Sequence, residues 1–151
     1  MLKLKIPPVV VFLICVGLIW AIHQIIPNQI LLFEGGVIIG IGLMITGGLI
    51  GVLAVIEFAR RSTTVNPHKP ENTKEFVRSG VYTFSRNPMY LALLIVLISP
   101  VFYWANPFII VVLPVFVWYL NEFQIKPEEE IMGQKFGDAF EEYKEKVRRW
   151  I

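Results

Sequence analysis

Long apolar stretches without charged side chains alternate with polar segments along this chain. Residues 6–26 contain no Asp, Glu, Lys or Arg over 21 positions, and residues 35–56 contain none over 22. A helix rises about 1.5 Å per residue, so either stretch can cross a hydrocarbon layer of about 30 Å. The pattern predicts two membrane spans, at about 6–26 and 33–58. A signal peptide is the competing interpretation of the first, but its apolar core would be shorter, about 7–15 residues.

A third uncharged stretch covers residues 87–121, which is 35 positions. One helix of that length would measure about 52 Å, more than a bilayer requires. Asn106-Pro107 lies near its middle and is typical of a turn, because the residue before proline avoids the helical region. We therefore predict a hairpin of two shorter spans, at about 88–104 and 107–123.

The positions of the basic residues favour four spans over three. Of the 14 Lys and Arg residues, two precede the first span, six lie in 60–87 and six lie in 126–151. Four crossings place all of them on one side of the membrane, which the positive-inside rule identifies as cytoplasmic. We predict an all-α, integral membrane four-helix transmembrane bundle, forming a single domain over 1–151. Both termini are expected on the cytoplasmic side, at a bacterial inner membrane.

Two polar segments are then expected at the cytoplasmic face: a loop over 60–87 and a helix over 128–149. Long ordered loops are frequently functional, which directs attention to this face. Apolar side chains recur at helical spacing in the second segment, which predicts a C-terminal amphipathic helix on the membrane surface or against the bundle. These side chains are Met132, Phe136, Phe140, Tyr143, Val147 and Trp150.

Composition excludes several classes of function. Hydrophobic residues make up 55% of the chain and charged residues 17%, against about 25% charged in a typical soluble domain. One cysteine and two histidines argue against a disulfide framework and a zinc site, so no metal is predicted. Nucleic-acid binding has little support, because membrane topology already explains the basic residues.

The side chains that could bind a ligand or take part in catalysis are concentrated in two segments. The first is Ser-Gly-Val-Tyr-Thr-Phe-Ser-Arg-Asn-Pro-Met-Tyr over 79–90, and the second begins with Pro-Glu-Glu-Glu at 127–130. Structural roles alone can explain both, since Asn87-Pro88 suits a helix start and glutamates favour a helix N-terminus. Periodicity does not decide between structural and functional roles.

In order and spacing, these segments resemble the membrane methyltransferases that include isoprenylcysteine carboxyl methyltransferases and phospholipid N-methyltransferases. The resemblance covers about residues 60–150. It is carried by Ser79 to Tyr82, Arg86 to Tyr90, Glu128-Glu129, and Phe136-Gly137 with Tyr143. Asn87 replaces a histidine of the isoprenylcysteine enzymes and agrees with the phospholipid enzymes. Gln124 stands where the eukaryotic isoprenylcysteine enzymes have an arginine for the substrate carboxylate.

The resemblance implies S-adenosyl-L-methionine as methyl donor, with S-adenosyl-L-homocysteine as product, in a cytoplasmic pocket closed by the C-terminal helix. Tyrosine faces attract a cationic centre, and a carboxylate can pair with the cofactor ammonium. Arg86, ranked ahead of Arg60 and Arg61, is predicted to hold an anionic acceptor, and Glu129 or Glu57 to accept a proton from an amine acceptor. The cofactor-binding residues that the resemblance implies are Lys74, Glu75, Phe76, Val77, Tyr82, Asn87, Pro88, Met89, Tyr90 and Glu128.

The predicted function is methyl transfer to a lipophilic substrate at the cytoplasmic membrane face, as in the isoprenylcysteine carboxyl methyltransferases. Two alternatives stay open: a phospholipid amine N-methyltransferase, and a non-enzymatic four-span membrane scaffold. The predicted partners are a lipid or other lipophilic small molecule and membrane lipids, without nucleic acid. The identity of the acceptor and the oligomeric state are left open by the sequence.

Overall fold

The computed structural model describes residues 4–26, 34–60 and 77–151, and every regular element in these ranges is helical. The prediction of an all-α chain is confirmed for this part. The α-helices are α1 (Pro8–Ile25), α2 (Gly36–Arg60), α3 (Pro88–Tyr103), α4 (Val112–Leu120), α5 (Lys126–Phe136) and α6 (Asp138–Lys146). Two 3-10 helices cover Gly80–Thr83 and Pro107–Val111, and a π-helical turn covers Asn121–Ile125.

Three helices within the described ranges are long and apolar enough to cross a membrane: Pro8–Ile25, Gly36–Arg60 and the continuous stretch Pro107–Phe136. The chain is therefore an integral membrane protein. Helix α3 is apolar but has only 16 residues, or about 24 Å of rise, which is less than the hydrocarbon thickness. Four crossings thus remain a prediction.

Helices α2 and α3 pack closely because glycines of α2 face the α3 backbone. A Cβ atom at Gly47 would lie 2.8 Å from the carbonyl oxygen of Ala92, and one at Gly40 would lie 3.0 Å from that of Ser99. Only a residue without a side chain permits this approach. Because Gly40 contacts the end of α3 and Gly47 its middle, the two helices run antiparallel.

A buried apolar cluster joins α1, α3 and the helix containing α4, with Ile19, Leu97, Ile109, Phe116 and Leu120 among its members. Buried amides tie the helix ends together on both sides of this cluster. Asn106 Nδ2 donates to the carbonyl of Ile26 at 2.8 Å, and Gln124 Nε2 donates to that of Ile6 at 2.7 Å. Helix α1 is therefore antiparallel to the chain over 107–125.

The C-terminal region differs from the single helix predicted over 128–149. Gly137 has a φ of +52° and ends α5, and α6 stops at Lys146. Val147 is extended, with φ −125° and ψ 128°, so the chain leaves the helix at this residue. The predicted span 107–123 also continues without interruption into α5, because the π turn carries the helix past residue 123. Of the predicted loop 60–87, residues 61–76 lie outside the described ranges.

Candidate active site

The two sequence segments meet through a hydrogen bond between a tyrosine and a glutamate. Tyr90, in the first turn of α3, donates from its hydroxyl to Oε1 of Glu128 at 2.5 Å. Glu128 lies in the first turn of α5, directly after Pro127. Pro88 lies at the start of α3, where its missing N–H is tolerated, whereas Pro127 follows the π-helical turn inside a continuous helix. The two side chains therefore meet between the start of α3 and the point where the π turn passes into α5.

A second polar contact lies beside the first and involves three charged groups. Arg86 Nη2 lies 2.9 Å from Oε1 of Glu129, and these side chains are 12% and 13% exposed. Arg149 donates to the same carboxylate twice, from Nε to Oε1 at 3.2 Å and from Nη2 to Oε2 at 2.6 Å. One carboxylate is therefore shared by two guanidinium groups in a largely enclosed place, where charge-assisted hydrogen bonds are strong.

The non-helical chain after α6, residues 147–151, packs against the segment that precedes α3. The backbone N–H of Arg86 donates to the carbonyl of Arg148 at 3.0 Å, and Asn87 Nδ2 donates to that of Arg149 at 2.9 Å. Asn87 precedes α3 but makes no side-chain cap to it. Since its Nδ2 is engaged by Arg149, the side-chain oxygen of Asn87 is the acceptor that it can offer to a ligand.

Residues 79–82 are held against the end of α2 by Glu57, whose side chain is 16% exposed. Ser79 Oγ donates to Oε2 of Glu57 at 2.8 Å. Gly80 has a φ of +58°, and a Cβ atom there would lie 2.7 Å from Oε1 of Glu57. Ser79 is therefore required for its hydrogen bond and Gly80 for its lack of a side chain. Glu57, a candidate base in the sequence, contacts this pair in the structure.

Two buried tyrosines stabilise the same region. Tyr143 of α6 donates from its hydroxyl to the carbonyl of Tyr82 at 2.6 Å. Burial raises the pKa of Tyr143 to about 12, an effect that the nearby Arg86 partly opposes. Burial also raises the pKa of Tyr82 well above its usual value, and the neighbouring Tyr143 adds to the effect. Both phenols are therefore neutral near pH 7, as the Tyr143 hydrogen bond requires.

A fully buried glutamine lies in the π-helical turn between α4 and α5. Gln124 Nε2 bonds Ile6, while its Oε1 has no hydrogen-bond partner among the described residues. Single π turns inside α-helices are frequent at functional sites. Trp150 anchors the non-helical chain after α6 to this turn, since its Nε1 donates to Oδ1 of Asn121 at 3.1 Å.

A family model described as phospholipid methyltransferase matches residues 36–139, which is more than half of the chain. The chain belongs to this family. The resemblance inferred from the two motif segments is thereby confirmed. The match begins in the first turn of α2 and includes both segments, Ser79–Tyr90 and the start of α5.

Several curated proteins are similar in sequence. A probable protein-S-isoprenylcysteine O-methyltransferase of Oryza sativa is 31% identical over 109 residues, which is 72% of this chain and 57% of that protein. Protein-S-isoprenylcysteine O-methyltransferase A of Arabidopsis thaliana is 32% identical over 108 residues, or 72% and 55%. The chain thus spans just over half the length of these plant relatives. An uncharacterized protein of Haemophilus influenzae is 40% identical over 63 residues, 42% of this chain and all of that protein. No solved structure matches the chain significantly.

The predicted site residues of this family member fall into three groups. Arg86, Asn87 and Glu129 are linked directly or through Arg149, and the bonded pair of Tyr90 and Glu128 lies next to them in sequence. Val77, Tyr82 and Met89 pack in a neighbouring apolar cluster at the end of α2, and Pro88 is buried at the start of α3. The remaining three, Lys74, Glu75 and Phe76, lie outside the described residues.

An open cleft of about 300 Å³ lies between α5 and α6. Glu129 lines this cleft together with Lys126, Glu130, Gly133, Gln134, Glu141 and Lys144. Tyr90 and Glu128 are not among its lining residues, so the cleft adjoins the polar cluster without containing the tyrosine–glutamate pair. Arg149 and the non-helical chain after α6 are the contributions that sequence patterns did not reveal.

Proposed function

We propose that this chain is an S-adenosyl-L-methionine-dependent methyltransferase that acts on a lipophilic acceptor at the cytoplasmic face of a membrane. The observation that carries the proposal is the hydrogen bond between Tyr90 and Glu128, which joins the two segments that the family shares. Membership of the phospholipid methyltransferase family and similarity to plant isoprenylcysteine O-methyltransferases support this class of reaction.

The polar groups of the site suit a cofactor in which a nucleotide carries a positively charged amino-acid group. Glu128 would pair with the cofactor ammonium, and the side-chain oxygen of Asn87 would accept a hydrogen bond from a ligand amine. The faces of Tyr82 and Tyr90 would favour a nearby positive charge by about 0.5–2 kcal/mol each. Lys74 to Val77, Pro88 and Met89 complete the proposed cofactor-binding set. When bound, S-adenosyl-L-methionine supplies an electrophilic methyl group.

The residues of the chain act by binding and alignment. Positioning two reactants can supply up to about 7–11 kcal/mol of the barrier reduction. The Arg86–Glu129 pair serves either acceptor class: a carboxylate would compete with Glu129 for Arg86, whereas an amine would pass its proton to Glu129. Either role requires the acceptor to displace part of the ion network, which also includes Arg149.

A four-span arrangement with both termini cytoplasmic accompanies this proposal. Glu57 at the end of α2 bonds Ser79, Tyr90 at the start of α3 bonds Glu128, and Gln124 bonds Ile6 ahead of α1. Basic residues flank these ends, as expected on the cytoplasmic side. A lipid acceptor would then enter laterally while the cofactor arrives from the aqueous side. We assign the membrane to the bacterial inner membrane.

Methyl transfer can be tested in membranes that contain the protein. They would be incubated with S-adenosyl-L-methionine labelled in the methyl group, and the lipid extract would then be treated with base. We expect incorporation above that of membranes carrying the Glu128→Gln variant. Base-released volatile methanol identifies a carboxyl acceptor, and base-stable label identifies an amine. Equal incorporation with and without the folded protein contradicts the proposal and favours a scaffold.

A further inference from the structure

Residue 149 connects the two halves of the candidate site. Its carbonyl oxygen accepts from Asn87 Nδ2 at 2.9 Å and from Ser85 Oγ at 3.4 Å. Its guanidinium donates to both carboxylate oxygens of Glu129. The backbone of Arg149 thus holds the segment before α3, and its side chain holds the first turn of α5.

The two hydrogen bonds from the Arg149 side chain both attract the Glu129 carboxylate and fix its orientation. A guanidinium that donates twice to one carboxylate fixes the plane of that carboxylate, which a lysine ammonium cannot do. Glu129 is 13% exposed and Arg149 is 32% exposed, so solvent screens the pair only in part. Glu129 also contacts Arg86, and the two guanidinium groups therefore approach the carboxylate together.

The backbone contact determines which end of the Asn87 amide faces a ligand. Because the carbonyl of Arg149 takes Nδ2, the oxygen of Asn87 is left to accept, and a bound partner must present an N–H or O–H donor. Flipping the amide would place its oxygen against the carbonyl of Arg149, where two acceptors cannot bond.

We infer that Arg149 is a positioning residue of the proposed cofactor site, and that its side chain acts through the carboxylate of Glu129. The inference rests on the proposed function. The backbone carbonyl of residue 149, which side-chain variants keep, turns the Asn87 oxygen toward a donor group of the cofactor, such as its ammonium or its adenine amine. The inference also assigns to Arg149 the orientation of the α5 turn that carries Glu128.

The test compares binding of S-adenosyl-L-homocysteine to the detergent-solubilised full chain by calorimetry. We expect Arg149→Gln to weaken binding about tenfold, as for loss of a charged hydrogen bond. Arg148→Gln removes the same charge from the adjacent, exposed side chain and should change affinity by less than about twofold. Arg149→Lys should recover only part of the loss, and it replaces Arg149→Gln in the comparison if that variant does not fold.

A double variant separates positioning from general stability. In the Glu129→Gln background, Arg149→Gln should weaken binding by less than about twofold further, because the contact is already reduced. Independent, additive losses would overturn the inference, and so would an Arg149→Gln variant that binds like the wild type. If the wild type binds and Arg149→Gln binds equally well, the inference is refuted but the proposed function is not. Folded wild-type protein that does not bind refutes the proposed function as well.

Discussion

The hydroxyl of Tyr90 lies 2.5 Å from Oε1 of Glu128, and the two residues are 38 positions apart in the chain. This contact brings the first turn of α3 against the first turn of α5. Arg86 and Glu129 repeat the pairing next to it, so consecutive glutamates of α5 are each bonded to the segment 86–90. The family motifs are therefore parts of one polar cluster, although they are separate in sequence.

Replacing Tyr90 by Phe should weaken cofactor binding. The variant removes the donor that orients the Glu128 carboxyl group, and a buried acceptor left without its partner costs about 1–3 kcal/mol. We expect the dissociation constant of S-adenosyl-L-homocysteine to rise at least about tenfold by calorimetry. Tyr103→Phe is the matched control, because this residue is exposed at the far end of α3. Wild-type affinity in Tyr90→Phe would show that the contact does not serve the ligand.

Adjacent glycines of α2 should respond differently to alanine. A Cβ at Gly47 would lie 2.8 Å from both the Ala92 carbonyl oxygen and Val96 Cγ2, whereas a Cβ at Gly48 meets nothing within 4 Å. Overpacking of this kind costs about 1–3 kcal/mol. Thermal unfolding in detergent should therefore show a lower Tm for Gly47→Ala and an unchanged or slightly higher Tm for Gly48→Ala. Equal Tm values would contradict the close α2–α3 packing.

Gly80 should also resist substitution, for two reasons. Its φ of +58° is unfavourable for any residue with a side chain, and a Cβ would collide with Glu57. Gly35→Ala is a useful comparison, because Gly35 also has a positive φ, +94°, but open space around it. The backbone penalty is about 1–2 kcal/mol, and the collision should make Gly80→Ala the more destabilising of the two. A Tm that falls equally in both variants would argue against contact with Glu57.

Much of the helical architecture was predictable because apolar stretches in a membrane protein have few alternatives to helix. The prediction of a turn at Asn106-Pro107 agrees with the break between α3 and the following 3-10 helix. The difference between Gly47 and Gly48 was not predictable, since it depends on which face of α2 meets α3. The break at Gly137 was also missed, because the apolar spacing continues through it and only the positive φ ends the helix.

The candidate site was predictable only in its parts. Glu128 and Tyr90 stood out by their motifs, but their contact depends on packing between helices that are distant in sequence. Arg149 was not identified, because an arginine near two other basic residues, Lys146 and Arg148, has no distinguishing sequence pattern. Its role depends on the end of α6 at Lys146, after which Arg149 reaches Asn87. The single helix predicted over 128–149 does not include this change of direction.

Stability at alkaline pH should depend in part on Tyr143. Its pKa is raised by burial from 10 to about 12 in the folded chain, so its contribution is fully present below pH 10 and lost as pH rises toward 12. Tyr143→Phe removes the ionisable group together with the hydrogen bond to Tyr82. The variant should be less stable at pH 8, and its Tm should fall less steeply between pH 10 and 12 than that of the wild type. Parallel pH profiles would contradict this assignment.

The central claim is that Glu128 provides the carboxylate of a cofactor site formed where the two segments meet. Calorimetric titration of S-adenosyl-L-homocysteine into the detergent-solubilised protein tests this most directly, with Glu128→Gln compared with Glu130→Gln. The first variant keeps an acceptor for Tyr90 but removes the charge, and the second removes the same charge from an exposed neighbour. We predict saturable binding to the wild type and Glu130→Gln, and binding at least about tenfold weaker to Glu128→Gln. Equal affinity in all three proteins, or no binding to the folded wild type, would contradict the account.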